Sequence, residues 1–228
     1  MRSISFVLRP ERSLPLIAAG ALTAAAILTA TLGPADAQDS GGAEVTGGTL
    51  TWGISTYLNS ANFGRPNPLP EAYFAPATFD EEARLTTWGD ASGTLSDDGS
   101  ASLSFAGASV NYTSTGGGWL MIADLEVELD AAGNGTITAE VSYGTSPGEF
   151  DPEAEPTAGP ERVTIVTLEG NDAPAMAADG EASWDGLSAI WSSAFTDFLA
   201  AGPWAYASTV NNDEEDRAPA PISINIDL

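Results

Sequence analysis

Residues Thr49–Gly64 read TLTWGISTYLNSANFG, and the fold turns on how that stretch changes period. Leu50 and Trp52 alternate with Thr49, Thr51 and Gly53, the pattern of a strand with one buried face. From Ile54 the apolar residues Ile54, Tyr57, Leu58 and Ala61 fall at i, i+3, i+4 and i+7, one face of a helix. Phe63-Gly64 closes the pattern, and Pro66, Pro68 and Pro70 prevent its continuation. The expectation is a strand ending at Trp52, a sharp turn at Gly53, and a short helix presenting Tyr57 from its apolar face.

Upstream, Arg2, Arg9 and Arg12 precede an apolar run from Leu14 to Leu32, and Ala35-Asp36-Ala37 is a small-x-small cleavage signature. Residues 1–37 read as a secretory signal peptide, which places the mature chain outside the cell, secreted or in the cell envelope. No second apolar run is long enough to span a membrane. Residues 38–48 read as a short polar leader with an edge strand at Ala43–Thr46, and 49–228 as one domain.

The chain has seven Arg and no Lys against 32 carboxylates, a net charge of −25. Without residues 1–37, four Arg face 30 acids. Such a charge excludes nucleic acid or an anionic membrane as a partner held by a basic patch. It also suits a saline habitat, or a genome that avoids lysine codons. Cys and His are absent. Disulfides, Cys/His zinc sites, Ser-His-Asp and Cys-His catalysis, and lysine Schiff-base chemistry are therefore excluded. The expectation is a protein that is not an enzyme.

Downstream, Asn67–Asp90 reads as an ordered aromatic loop containing Tyr73, Phe74, Phe79 and Trp88. From Gly93 the chain turns β-rich. A hairpin runs from Gly93–Leu95 through Asp97-Asp98-Gly99 to Ala101–Phe105, and Val110 and Tyr112 alternate in a further strand. Trp119–Leu129 is a long strand with Leu125, Val127 and Leu129 inward and Asp124, Glu126 and Glu128 outward. Asp130–Gly135 is a turn, and Thr136–Tyr143 returns with Ile137, Ala139, Val141 and Tyr143 on one face. Ser146–Pro160 is a proline-rich insertion, and Arg162–Leu168 a strand. Leu187, Ile190, Trp191, Ala194, Phe195, Phe198 and Leu199 then fit one helix face, capped by Asp185 or Ser183 and stopped at Gly202-Pro203. Ile222–Ile226 is a closing strand after the acidic loop Asn211–Asp216. The fold class is mainly β: antiparallel, sandwich-like sheets with one short and one longer amphipathic helix.

In that order of elements the chain resembles the HtaA domain, found in secreted and surface proteins of corynebacteria and related actinobacteria that take up haem. LTWGISTYLNS is similar to the family's opening strand and helix, and ASVNYTSTGGGWLMIADLEVELD to its core strand, glycine-containing turn and next strand. GNGTITAEVSYG is similar to the return strand. RVTIVTL, SWDGLSAIWSSAFTDFLAAG and PISINIDL are similar to the closing strand, long helix and terminal strand. The likeness covers about Thr49 to Leu228. It implies haem as cofactor, ligated by a tyrosine oxygen that a histidine hydrogen-bonds; a phenolate is a hard ligand suited to ferric haem.

The chain departs from that pattern at its ligands. The position of the family tyrosine is Ala61, and Tyr57 lies one turn earlier on the same face. The family histidine belongs to the turn that is Tyr112–Gly118 here, where none stands. Tyr57, Tyr112 and Phe198 are the candidate haem-site residues. The bland reading of each is packing: a rim tyrosine, a cross-strand aromatic, a core phenylalanine. The acidic runs Asp80–Glu82, Asp97-Asp98 and Asp213–Asp216 lack calcium-loop spacing and read as solvated turns. Expected partners are haem or haem proteins, and cell-envelope proteins. The leading function class is a secreted haem-transport-associated domain that binds haem weakly or has lost it; the second is an extracellular structural or interaction module that binds an envelope protein or glycan through Tyr73–Trp88.

Overall fold

Alternation of β-branched and aromatic residues with Ser, Thr and carboxylates builds nearly every element. The computed structural model describes residues 42–58, 75–112, 118–144, 155–170, 174–176, 180–201 and 210–228. Its strands are β1 Gly42–Val45, β2 Gly47–Trp52, β3 Thr78–Asp80, β4 Leu85–Ser96, β5 Ala101–Tyr112, β6 Trp119–Leu129, β7 Gly135–Gly144, β8 Ala158–Glu169, β9 Ala175–Met176, β10 Glu181–Trp191 and β11 Ile222–Asp227. The helix α1, Ser193–Ala200, lies between β10 and β11. The proposed signal peptide, Ala61, Tyr73, Phe74, Gly202-Pro203 and most of the proline-rich insertion lie outside the described residues.

The strands pair antiparallel in the order β2-β11-β10-β8-β7-β6-β5-β4, and β4 also pairs with β2, so the hydrogen-bonded path closes. Two bulged strands make the corners. β4 pairs with β2 through Leu50↔Trp88 and Trp52↔Thr86, shifts register between Gly89 and Ser92, and then pairs with β5 as far as Leu95↔Ala101. β10 pairs with β11 from Glu181 to Leu187 and with β8 from Ser188 to Trp191. Gly186, at φ 65°, supplies the left-handed residue of that second corner. The result is a sandwich whose sheets are joined by strands that switch between them. β1 continues the register of β2 on β4, from Gly42↔Ser96 to Val45↔Gly93, so the described part of the polar leader, from Gly42, belongs to the sheet.

The buried set matches the alternation: Leu125, Val127 and Leu129 of β6 face Ile137, Ala139, Val141 and Tyr143 of β7 in one core, with Asp124, Glu126 and Glu128 exposed. Wholly buried side chains of this kind are worth ~1.5–3 kcal/mol each. The turn after β6 is held by Asp130, whose carboxylate accepts the N–H groups of Ala132 and Asn134 and the Asn134 amide.

Four expectations change. The helix expected from Ile54 does not begin there: Ile54 is left-handed at φ 57°, and Thr56–Leu58 form a turn whose Leu58 N–H donates to Ser55 Oγ at 3.1 Å. The longer helix starts at Ser193, not Leu187, capped by Ser192, whose Oγ accepts the Phe195 N–H. Its presumed first half is β10. The bulge at Gly186 sets Trp184, Leu187 and Trp191 at i, i+3 and i+7, which imitates a helix face. The segment read as a loop to Asp90 contains β3 and the start of β4, and Trp88 is fully buried. The strands around Phe105 and Val110 are one strand, broken only by the bulge at Ala106-Gly107. No helix among the described residues is long and apolar enough to cross a membrane.

Candidate functional site

Beyond Trp52 the chain leaves β2 through three consecutive buried residues, Gly53, Ile54 and Ser55. A β-branched residue at positive φ is costly, by roughly 1–3 kcal/mol, and persists only where the surroundings fix it. They do so here. The Ile54 carbonyl accepts the Ala220 N–H at 2.8 Å, and the Trp52 indole N–H donates to the Ala220 carbonyl at 2.9 Å. The Tyr57 N–H donates to the Asp216 carbonyl at 2.7 Å. The acidic loop before β11 thus clasps residues 52–57 and leaves Tyr57 half-buried.

Arg217 lies over Tyr57, its guanidinium carbon 4.8 Å from the ring centroid. That is a cation–π distance. Its Nε lies 3.1 Å from Glu214 Oε2, an ion-pair distance. Its carbonyl accepts the Trp191 indole N–H at 2.8 Å. Asn212 fastens the same loop to β10: its Oδ1 accepts the Trp191 N–H at 2.8 Å, and its amide donates to the Trp191 carbonyl.

Behind Tyr57 runs a column of rings. Trp52 lies 6.4 Å from Trp88 and 5.8 Å from Trp191, and Trp191 lies 5.3 Å from Phe195. One turn along α1, Phe198 meets Tyr143 edge-on at 5.3 Å. Burial pushes the Tyr143 phenol above its ordinary pKa, so it stays neutral. Trp191 thus joins Phe195 to Arg217, the residue over Tyr57, while Phe198 packs on Tyr143. Tyr112 is placed differently. Its ladder position is opposite Trp119, in the row that alternates with Asn111–Leu120–Tyr143. Its side chain lies outside the described residues. Sequence reasoning named Tyr57 but missed Arg217; the signal available was that Arg217 is one of only four arginines after residue 37 in a chain without Lys or His.

Two other features were weighed. Where β5 leaves β4, β3 takes its place, and the wedge between is lined by Thr78, Phe79, Thr86, Ser109 and Asn111. Thr86 and Ser109 share a hydroxyl–hydroxyl hydrogen bond of 3.2 Å, and the buried Asn111 Nδ2 has no partner. The hollow of about 10 Å³ has room for about one water, not for a porphyrin. Among the described residues no three Asp or Glu converge as a metal site. Asp98 spends its carboxylate on Ser100, which holds its pKa below the ordinary value.

No protein-family model matches the chain, and no curated protein does. Among solved structures it is similar to the C-terminal domain of HtaA from Corynebacterium glutamicum, at 18% identity and a TM-score of 0.54, over 81% of this chain and 98% of that one. The chain has an HtaA-like fold.

Proposed function

We propose that this chain is an extracellular, haem-transport-associated domain that acts by binding a ferric porphyrin through Tyr57 rather than by catalysis. The observation that carries the reading is the setting of Tyr57: a strained Ile54, a clasp of main-chain bonds and a guanidinium over its ring, at the end of a buried aromatic column. The donor set fits such a ligand. A phenol oxygen is a hard donor for ferric iron. Tyr57 would hold the iron, and the group would supply a Lewis-acidic ferric centre. The absent histidine removes the family's usual partner to that tyrosine, and Arg217 lies over its ring. The signature in residues 1–37 supports an extracellular or envelope location.

The test is a hemin titration of the mature chain followed by absorbance. The expected result is a displaced, sharpened Soret band at micromolar hemin, with affinity reduced about tenfold or more in Tyr57→Phe, the scale of losing a ligand or its support. An unchanged spectrum of free hemin would overturn the reading. The interaction-module alternative loses its main support, because Trp88 is fully buried beside Trp52 and does not belong to an exposed aromatic loop.

A further inference from the structure

We infer that the wedge between β3 and the second half of β5 binds one water molecule, held by the side-chain amide of Asn111 and the hydroxyls of Thr86 and Ser109. The site is independent of Tyr57 and of the haem reading. The β4–β5 ladder ends at Gly89↔Ala106. Beyond that point β4 takes β3 as its neighbour, through Thr78↔Thr87 and Phe79↔Thr86, while Ala108–Tyr112 of β5 stays on β6. Polar groups in such a parting are cut off from both ladder and solvent, and need another partner.

Three polar side chains stand in the gap. Thr86 and Ser109 are buried and share the hydroxyl–hydroxyl bond of 3.2 Å. Asn111 is only 6% exposed, and its Nδ2, in the lining of the same hollow, has no hydrogen-bond partner in the protein. Buried donors are nearly always satisfied, by protein or by ordered water. Ser109 and Asn111 lie two residues apart on one face of β5, opposite Ile122 and Leu120. That separation is about 6.4–6.8 Å along a strand, a span that one water bridges with two hydrogen bonds of about 2.9 Å each.

The hollow, about 10 Å³, matches one water. Its chemistry selects water over other small occupants. No ionisable side chain lines it, so a metal cation finds no anionic ligand there. A halide can only accept, and would enter a chain of net charge −25. Water accepts from Nδ2 and also donates to a hydroxyl lone pair, which gives it the two or more polar partners a buried water needs. Bound there, it carries across the wedge the cross-links that the β4–β5 ladder gives up.

High-resolution crystals of the mature chain, one set soaked in sodium bromide, test the inference together with crystals of Asn111→Leu. The expected wild-type map shows one peak about 2.7–3.2 Å from Asn111 Nδ2 and from the Thr86 or Ser109 hydroxyl, without anomalous signal after the bromide soak. Asn111→Leu keeps the branched shape without the amide and should lose that peak while the backbone stays in place. In solution, oxygen-17 relaxation dispersion should count one fewer long-lived water in the variant. A wild-type map with no peak in the hollow, or with Nδ2 turned onto a protein acceptor, would overturn the inference, whether or not the variant folds. An anomalous peak would make it a halide site instead, and a peak that survives Asn111→Leu would remove Asn111 as its donor; either result refutes the site as drawn.

Discussion

Replacing two adjacent residues, Ile190 and Trp191, separates the strand from the helix that the same residues can describe. On a helix from Leu187 both lie on the buried face. On β10 they point oppositely: Ile190 is 39% exposed and Trp191 is 3% exposed. For Ile190→Ala the strand predicts a loss of at most ~1 kcal/mol, the span of β-propensity at an exposed position. A buried helix position would cost ~2–5 kcal/mol. For Trp191→Phe, the lost indole N–H leaves the Arg217 carbonyl short of its 2.8 Å donor, at ~1–3 kcal/mol. The smaller ring gives up roughly another 1 kcal/mol of packing against Trp52 and Phe195, which lie 5.8 and 5.3 Å away. The total is ~2–4 kcal/mol.

Urea unfolding at fixed moderate salt reads both values, because most of the six tryptophans remain as probes in either variant. With a slope of ~2 kcal/mol/M for a domain of this size, the midpoint should fall by about 1–2 M for Trp191→Phe and by no more than about 0.5 M for Ile190→Ala. Equal shifts would refute the strand assignment and the corner at Gly186 with it. A negligible Trp191→Phe shift would refute the clasp between β10 and the Arg217 loop.

Gly144 lies beneath the Trp119 indole, where an added Cβ would come within 2.2 Å of Nε1. Gly144→Ala should therefore destabilise by ~1–3 kcal/mol, the usual cost of overpacking, and should cost far less in a Trp119→Ala background; equal costs in the two backgrounds would contradict the contact. Asp130 has its folded pKa lowered below the ordinary 3.8, first by the Asn134 side chain and then by the Ala132 N–H. Its stabilising contribution is thus fully present above the ordinary value and lost as pH falls through the folded one. The melting-temperature gap between wild type and Asp130→Asn should be constant from about pH 7 to 5 and close below about pH 4; a gap that persists to pH 2 would refute it.

Where a strand's own alternation carries the pattern, the sequence was readable. The apolar and acidic alternation of β6 and β7 needs only a period of two, and every inward residue predicted there is buried. It failed at bulges. An inserted residue turns a spacing of two into three, so Trp184, Leu187 and Trp191 satisfy a helix template while lying on one strand. β4 was hidden for a related reason: its first half shares a stretch with turn residues, and nothing local announces that Trp88 pairs opposite Leu50. Tyr57 was visible as a residue type at a suggestive place. Its partner was not, because the two are brought together by β11, whose register on β2 is a long-range fact.

The positions that misled the local patterns are also those that build the site. The corner at Gly186 brings Trp191 to the end of β10, where Asn212 and the Arg217 carbonyl take its two N–H groups. The left-handed turn at Ile54 takes the chain off β2 so that Ala220 can bond back to it and Tyr57 can meet Asp216. Each departure costs energy locally and is held by contacts distant in sequence, as expected where structure serves a purpose other than stability. A straight β10 or a regular helix from Ile54 would agree better with local preference, yet would leave Arg217 and Tyr57 without the loop that joins them. The strain at Ile54 and the cation over Tyr57 are thus two consequences of one arrangement. Ile54→Gly would relieve roughly 1–3 kcal/mol of strain but would also remove a fully buried core side chain at ~2–5 kcal/mol, so it should lower stability on balance, as read by the urea midpoint.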